Sequence, residues 1–183
     1  MADLRVIKTK QSIKGAFMDL VLEKGFEHVS VKDICNKAMI NRNTFYLHYL
    51  DKIDLLEKIV KEVFLEQEKD IIKIKEEKTK RDIETIKLSF KRILNAFYEE
   101  IEFYRIILLD SNTSGHVDKC ASSLLLELAY IYDLDYEKNK IKINYVFYGI
   151  VGVIKTWIIK DYDTINNIAD TLTKLTVSIL IEQ

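Results

Sequence analysis

The scarcity of helix-breaking residues constrains the fold of this chain more than any other feature. Its 183 residues contain no proline and only five glycines. Proline interrupts the hydrogen bonding of a helix and glycine weakens a helix interior, so a chain that nearly lacks both can form long helices. No stretch shows the alternation of polar and apolar residues that is typical of strands. The sequence therefore predicts an all-α protein of about nine helices.

The composition is that of a soluble globular protein, with 48% hydrophobic residues, 31% charged residues and a formal net charge of -1. The most apolar run, Ile143–Ile159, is interrupted by Asn144 and Lys155 and is shorter than the roughly 20 residues that cross a bilayer. The N-terminus lacks the apolar segment of a signal peptide. We interpret the run as a buried helix of a cytoplasmic protein without membrane contact.

The candidate metal and catalytic groups are few. Cys35 and Cys120 form no CxxC pair and lie among apolar residues, so we expect buried free thiols. His116, Asp118 and Cys120 alternate, but residues two apart diverge on a helix and no fourth ligand is evident. The chain contains no GxGxxG, P-loop, GxSxG or HExxH motif. We therefore expect no metal, no cofactor and no enzyme.

Three helices are predicted near the N-terminus, the second and third of them short. The first spans about Lys8–Lys24 and ends before Gly25. The second begins at Ser30, whose hydroxyl can cap the helix together with Asp33 three residues later. A break follows at residues 39–40, and Asn41 is a suitable cap for the third helix.

The third helix lies in the stretch INRNTFYLHY, residues 40–49, and is unusually polar. Only Phe45 and Tyr49, four residues apart, are expected to face inward. A helix, a tight turn and a second short helix form a helix-turn-helix, whose second helix enters the major groove of DNA. Arg42 can bind a guanine and Asn43 an adenine, because both pairings match the groove edges of those bases. The hydrogen-bonding residues suited to phosphate oxygens are Thr44, Tyr46, His48 and Lys52.

The run from Thr9 to Leu56 closely resembles the DNA-binding domain of the tetracycline-repressor (TetR) family of bacterial regulators. The matching segments are KGF at the end of the first helix, VSVKDIC, AMINRNTFYLHYLDK and the apolar IDLL. The sequence departs from the family at Asn43, where a small residue is frequent, and at Tyr49, where Phe is frequent. Neither departure affects the predicted fold, but Asn43 can alter which bases are recognised.

The resemblance implies a homodimer that represses transcription at a palindromic operator and that a small-molecule inducer releases. In that pattern the last two helices pair with those of a second subunit, and the inducer moves a long connecting helix. The residues expected to contact bases are Arg42, Asn43 and Leu47. The residues expected to contact the DNA backbone are Ser30, Lys32, Thr44, Tyr46, His48 and Lys52.

We predict three segments: a DNA-binding domain at residues 1–51, a long connecting helix at 52–78, and a ligand-binding and dimerisation domain at 79–183. Asp51 is expected to cap the connecting helix. In the last segment, Ser111–Gly115 (SNTSG) is predicted to be a loop, followed by a helix from about His116 to Tyr132. The final two helices are predicted at about Glu137–Lys160 and Thr164–Glu182.

Two further sets of residues follow from the apolar patterns of the connecting helix and the third segment. The helix after Glu137 is apolar on more than one face and therefore needs a second partner, which supports a dimer. The predicted dimer residues are Phe147, Ile150, Val151, Ile154, Leu172, Leu175 and Ile179. Aromatic residues that can line a ligand pocket, or simply fill the core, are Phe64, Phe90, Phe97, Tyr98, Phe103, Tyr104, Tyr130, Tyr145, Tyr148 and Trp157.

Two alternatives to a repressor remain open on the sequence alone. One is a helix-turn-helix activator, and the other is an adaptor that binds proteins and has no inducer. Basic residues exceed acidic ones in the first fifty residues, while acidic residues exceed basic ones in the remainder. A basic N-terminal region favours an anionic partner such as DNA over a protein partner.

Overall fold

A computed structural model describes residues 4–63, 83–122, 129 and 134–180. All regular structure in these ranges is helical, which confirms the predicted all-α class. The predicted connecting helix is described only from residue 52 to residue 63, and its part at 64–78 lies outside the described residues. The described helices are α1 (Leu4–Lys24), α2 (Val31–Lys37), α3 (Arg42–Tyr46), α4 (residues 52–63), α5 (Ile83–Glu99), α6 (Ile101–Leu109), α7 (Ser111–Ser122), α8 (Tyr136–Lys160) and α9 (Ile165–Leu180).

The chain forms two compact units. The first consists of Met1–Val60 and Glu102–Val117, and the second consists of Lys61–Ile101 and Asp118–Gln183. The first unit therefore contains α6 and the start of α7 in addition to the predicted DNA-binding helices. The predicted DNA-binding domain at residues 1–51 and the predicted ligand-binding and dimerisation domain at 79–183 do not coincide with these two units.

The first unit has an aromatic core that joins α1 to α6. The ring of Phe17 packs edge-on against Phe26 at a centroid distance of 6.1 Å and against Phe103 at 5.9 Å. Around them are Ile34, Phe45 and other fully buried residues of α1 to α4. Two polar contacts also hold α7 to this unit: His116 Nδ1 lies 3.1 Å from Glu57 Oε1, and Asn112 pairs with Glu27.

The second unit is built on α5, α8 and α9. Its core includes Ile143, Val146, Phe147 and Leu180, which pack together with Ala129. Lys87 on α5 pairs with Asp170 on α9 at 2.6 Å, and this contact raises the pKa of Lys87 and lowers that of Asp170. The long helix α8 is the one described helix that is apolar and long enough to cross a bilayer, a test that core helices of soluble proteins also pass.

The prediction of a loop at Ser111–Gly115 is wrong, because these residues begin α7. Asp110 Oδ1 accepts a hydrogen bond from the Asn112 amide at 2.8 Å, and the Asp110 carbonyl accepts one from the Thr113 amide at 3.1 Å. The buried Thr113 hydroxyl donates to the Ile107 carbonyl at 2.5 Å. Ser, Asn and Thr are as suitable for starting a helix as for a loop, so composition alone could not separate the two.

The start of the first helix also differs from the prediction. The described part of helix α1 already includes Leu4, about one turn before the predicted Lys8. Its end agrees with the prediction, since Gly25 has a positive φ of 78° and its amide donates to the Val21 carbonyl at 2.9 Å. The extension carries exposed residues, so no buried face marked it in the sequence.

Candidate nucleic-acid interface

Ser30 and Asp33 fix the start of α2 by a reciprocal pair of hydrogen bonds, as predicted. The Asp33 amide donates to Ser30 Oγ at 3.2 Å, and the Ser30 amide donates to Asp33 Oδ2 at 3.0 Å. The Ser30 hydroxyl also donates to Asp33 Oδ2 at 2.7 Å, as does the Lys24 ammonium at 2.9 Å. These donors hold the pKa of the Asp33 carboxyl far below its ordinary value. Ser30 and Lys32 remain exposed at this end of the helix.

The turn between α2 and α3 is closed by backbone hydrogen bonds. The Met39 amide donates to the Asn36 carbonyl at 3.2 Å, and the Ile40 amide donates to the Cys35 carbonyl at 3.0 Å. This pattern needs a left-handed residue at Met39, whose φ is 55°. Glycine or asparagine is usual there, so a fully exposed methionine places some strain in the turn. The Ser12 hydroxyl donates to the Ala38 carbonyl at 3.1 Å and attaches α1 to the same turn.

Helix α3 presents a polar side and an anchoring side, which confirms the predicted orientation of Phe45 and Tyr49. Asn41 caps the helix by accepting the Thr44 amide at 2.8 Å. Phe45 and Tyr49 are buried, with their ring centroids 5.6 Å apart. The opposite side exposes Arg42, Asn43, Tyr46 and Leu47, and Leu47 is 78% exposed.

Thr44 and His48 lie at the edges of this polar side and are half-buried. The Thr44 hydroxyl donates to Asn41 Oδ1 at 3.0 Å. The carbonyl of His48 accepts a hydrogen bond from the Lys58 ammonium at 3.0 Å, which also binds Asp54 Oδ2 at 2.8 Å. Lys58 therefore holds the end of α3 against α4. The sequence does not by itself indicate this contact with the His48 carbonyl, although the spacing of Asp54 and Lys58 is that of a helical ion pair.

Lys52 makes contacts that the sequence does not predict. Asp51 caps α4 as expected, with Oδ1 accepting the amides of Ile53 and Asp54 at 2.8 Å each. The Lys52 ammonium, however, points back toward the turn between α1 and α2. It donates to the carbonyls of Phe26, Glu27 and Val29 at 2.8, 3.1 and 2.9 Å. It also lies 4.4 Å from the centroid of the Phe26 ring, and its burial lowers its pKa.

The nine residues predicted to contact DNA all belong to the first unit. Six of them, Ser30, Lys32, Arg42, Asn43, Tyr46 and Leu47, are exposed on α2, α3 and their flanks. Within the described residues, neither Arg42 nor Asn43 uses its side chain in a hydrogen bond. Two nearby cations are instead paired with carboxylates: Lys24 with Asp33, and Lys37 with Glu23 at 2.5 Å.

The predicted pocket residues do not gather in one place. Phe103 and Tyr104 are buried in the first unit, while Phe90, Phe97 and Trp157 are buried in the second. Three others are exposed. Tyr145 and Tyr148 border a groove of about 460 Å³ between α8 and α9, and Tyr98 stacks on Trp157 beside a surface pocket of about 590 Å³. Phe64 and Tyr130 lie outside the described residues.

The predicted dimer residues divide in a similar way. Phe147, Ile154 and Leu172 are buried within their own unit. Ile150, Leu175 and Ile179 border the groove between α8 and α9, and Val151 is half-buried beside the core. The exposed side of α8 is formed by other residues, at the spacing of a single helix face: Ile141, Tyr145, Tyr148, Gly149 and Gly152.

The remaining candidate ligands are occupied elsewhere. His116 pairs with Glu57, and Asp118 pairs with Lys155 at 2.7 Å. Cys35 is buried as expected, which raises the pKa of its thiol, while the side chain of Cys120 lies outside the described part of the chain. In the described ranges, no three His, Cys, Asp or Glu side chains are grouped as metal ligands would be.

Comparisons with known proteins agree with this geometry. The chain matches the family model of bacterial regulatory proteins of the tetR family over residues 16–59, and that of a transcriptional regulator C-terminal region, TetR_C_8, over residues 84–178. A curated relative is the uncharacterized HTH-type transcriptional regulator YxbF of Bacillus subtilis, 37% identical over 59 residues. That match spans 32% of this chain and only 16% of the relative.

Solved structures extend the likeness of fold to nearly the whole chain. A TetR-family transcriptional regulator from Syntrophomonas wolfei superposes with a TM-score of 0.68 at 18% identity, covering 96% of each chain. The dihydroxyacetone kinase operon activator DhaS superposes with a TM-score of 0.66 at 19% identity, covering 95% of this chain and 97% of the DhaS chain. FadR of Bacillus subtilis, solved with stearoyl-CoA, superposes with a TM-score of 0.60 at 16% identity, covering 94% of this chain and 98% of the FadR chain. With a matched C-terminal model, a matched N-terminal model and an exposed helix-turn-helix, the chain belongs to the tetR family of DNA-binding transcriptional regulators.

Proposed function

We propose that this protein is a repressor that binds a palindromic operator as a homodimer and is released by a small-molecule inducer. The observation that carries the proposal is the outward side of α3. Arg42 and Asn43 are exposed there and make no side-chain hydrogen bond within the described residues. Surface side chains of this kind match the donor and acceptor pattern of the major groove.

The proposed contacts follow the arrangement of the helices. Arg42, Asn43 and Leu47 lie on the exposed side of α3 and contact bases. The DNA backbone is held by Ser30 and Lys32 at the start of α2 and by Thr44, Tyr46 and His48 around α3. Lys52 does not belong to this set, because reaching a phosphate would break three hydrogen bonds to carbonyls. Its part in DNA binding is to hold the turn between α1 and α2.

The exposed face of α8 supports a homodimer. Ile141 is 86% exposed and Tyr145 is 71% exposed, which is unusual for large apolar residues in the middle of a long helix. Gly149 and Gly152 follow on the same face, and a Cβ atom at either position would touch nothing among the residues that the structure describes. Glycine weakens a helix interior by about 1 kcal/mol relative to alanine. A second chain that approaches closely accounts for glycine where the monomer itself does not need it.

Thr176 provides a second, independent support. Its side chain is 1% exposed at the floor of the groove between α8 and α9, and its hydroxyl has no hydrogen-bond partner within the described residues. A buried hydroxyl without a partner is destabilising by about 1–3 kcal/mol. A polar group from the second subunit, entering the groove, would satisfy it. We propose α8 and α9 as the dimer interface, with Ile150, Leu175 and Ile179 at the edges of the groove.

A two-fold dimer places its two α3 helices in successive major grooves, about 34–36 Å apart. With about eight phosphate contacts per dimer, the logarithm of the affinity falls with the logarithm of the salt concentration at a slope near -7. The inducer site is proposed in the second unit, and long-chain acyl-CoA is a reasonable first compound to test, given the stearoyl-CoA complex of the structurally similar FadR. A regulator of this kind acts in the cytoplasm.

The test of DNA binding begins with the sequence upstream of the protein's own gene, searched for a palindrome that the purified protein protects. Tyr46→Ala should weaken binding to the palindrome and to unrelated duplex by similar factors, because Tyr46 is a proposed backbone contact. Arg42→Ala should weaken binding to the palindrome by about 1–3 kcal/mol in binding free energy and leave binding to unrelated duplex unchanged. Equal losses for Arg42→Ala on both duplexes would reject base recognition, and a reporter that loses expression on deletion of the gene would indicate an activator.

The test of the dimer uses a matched pair of glycine substitutions. Gly149→Leu places a bulky side chain on the proposed interface, whereas Gly115→Leu places one on α7. Both glycines are exposed, and a Cβ atom at either would meet no described residue within 4 Å. Sedimentation should find Gly149→Leu monomeric and Gly115→Leu dimeric, with both variants fully helical. A dimeric Gly149→Leu variant would exclude this face as the interface.

A further inference from the structure

The N-terminal part of α1, residues 4–18, carries a concentration of positive charge. Residues 4–18 contain Arg5, Lys8, Lys10 and Lys14 and no acidic residue. Four basic side chains without an acidic neighbour in this segment make a local excess of positive charge, which favours an anionic partner.

A single hydrogen bond places this segment beside the helix-turn-helix. The Ser12 hydroxyl donates to the carbonyl of Ala38, the residue that ends α2 and opens the turn before α3. Helix α1 continues for eight residues on the N-terminal side of this contact. At 1.5 Å per residue, Lys8 lies about 6 Å and Arg5 about 10 Å along the helix from Ser12.

The helical period then divides the basic residues between two sides of α1. At about 100° per residue, Arg5 and Lys8 lie within about 40° of the direction of Ser12, whereas Lys10 lies about 160° away from it. The side of Arg5 and Lys8 is therefore the side attached to the turn that precedes Arg42. Lys8 and Lys10 are both exposed, so they differ in direction and not in accessibility.

We infer that Arg5 and Lys8 form a second phosphate-binding surface, which contacts the DNA backbone flanking the groove that receives α3. This inference rests on the proposed operator binding and adds contacts outside the helix-turn-helix. The chemistry favours DNA over a protein partner, because residues 4–18 carry basic and no acidic side chains and because Ser12 attaches this side of α1 to the turn before α3. Contacts to phosphates carry no sequence information, so this surface strengthens binding to every duplex equally.

The test compares Lys8→Gln with Lys10→Gln in the full-length protein. Glutamine has a helix propensity close to that of lysine, so each variant removes one charge from the same helix without weakening it. Affinity is measured by fluorescence anisotropy for the upstream palindrome and for unrelated duplex, between about 50 and 300 mM salt. On both duplexes, Lys8→Gln should lower the magnitude of the slope of log affinity against log salt concentration by about 1.8, because a dimer loses two phosphate contacts. The double variant with Arg5→Gln should lower it by about 3.6.

Lys10→Gln should keep the wild-type slope, and all variants should keep the wild-type unfolding midpoint. The inference is overturned if Lys8→Gln keeps the wild-type slope, or if Lys10→Gln loses as much as Lys8→Gln, because a general effect of net charge would then explain the loss. Either result leaves the proposed operator binding intact. Failure of the wild-type protein to bind any duplex at low salt would instead refute the proposed function, and this inference with it.

Discussion

Replacing Lys52 by methionine separates the two roles that sequence and structure give to this residue. Methionine keeps the length of the side chain and its contact with Phe26 but removes the ammonium, which donates to three carbonyls at 2.8–3.1 Å. If Lys52 holds the turn between α1 and α2, the variant loses stability. If the side chain instead binds a phosphate, the variant loses affinity for DNA at unchanged stability.

The expected loss follows from the contacts. A hydrogen bond to a charged donor contributes about 1.5–3 kcal/mol, but these three share one ammonium, and water can reach some of the freed carbonyls. The ammonium is also partly desolvated, which lowers its pKa and offsets part of the gain. We therefore expect a loss of about 2–3 kcal/mol in the free energy of unfolding, or roughly 5–10 °C in midpoint for a chain of this size.

The assay is denaturant unfolding followed by circular dichroism, with Lys58→Met as the control. Lys58 also binds a carbonyl and a carboxylate in this unit, but its side chain is 46% exposed. Lys58→Met should therefore lower the free energy of unfolding by no more than about 1 kcal/mol. Suppose instead that Lys52→Met unfolds within about 0.5 kcal/mol of wild type, while its DNA-binding salt slope falls by about 1.8. The phosphate contact predicted from the sequence would then be correct, and Lys52 would not stabilise the turn between α1 and α2.

Three further predictions concern single side chains. Because hydrogen bonds depress the pKa of Asp33 in the folded state, its carboxylate stabilises the fold above pH of about 4, and this contribution is lost as the pH falls through the folded pKa. Asp33→Asn should therefore lower the free energy of unfolding at pH 7 and make it depend less on pH below pH of about 4. An unchanged pH dependence in that acidic range would contradict the capping role. Met39→Asn should raise the free energy of unfolding by about 0.5–1 kcal/mol, because asparagine tolerates the left-handed backbone. A free energy of unfolding no higher than that of the wild type, measured by chemical denaturation, would contradict this. Thr176→Val should weaken the dimer about tenfold by sedimentation equilibrium, since its hydroxyl is proposed to bind the second subunit; a tighter dimer would show that no such bond forms.

Several features of the site could be predicted from the sequence because they depend on neighbours three or four residues apart. Ser30 with Asp33, Asn41 with Thr44, and Asp51 with Asp54 all form the hydrogen bonds that their spacing indicates. The inward direction of Phe45 and Tyr49 follows from the helical period in the same way. The absence of proline favoured helices throughout, and the described residues form helices as expected.

Local sequence patterns did not predict the structure correctly where the same residue types suit both a loop and a helix start. Ser111–Gly115 has the residues of a loop, yet hydrogen bonds to Asp110 and Ile107 start a helix there. The sequence left open whether the aromatic residues line one pocket or fill the core, and the structure places Phe103 in the first unit and Trp157 in the second. Helical spacing identifies a residue that is buried, but it does not identify the element that buries it.

The sequence by itself determined the helical class, the capped helix-turn-helix and the polar outer side of α3. Only the tertiary structure decided that the Lys52 ammonium binds carbonyls more than twenty residues away, that α6 packs with the N-terminal helices, and that Gly149 lies on an exposed face. The physical reason is the range of the interactions. Caps and helix faces depend on side chains within one turn, whereas the partner of a charged or apolar group depends on which surfaces packing brings together.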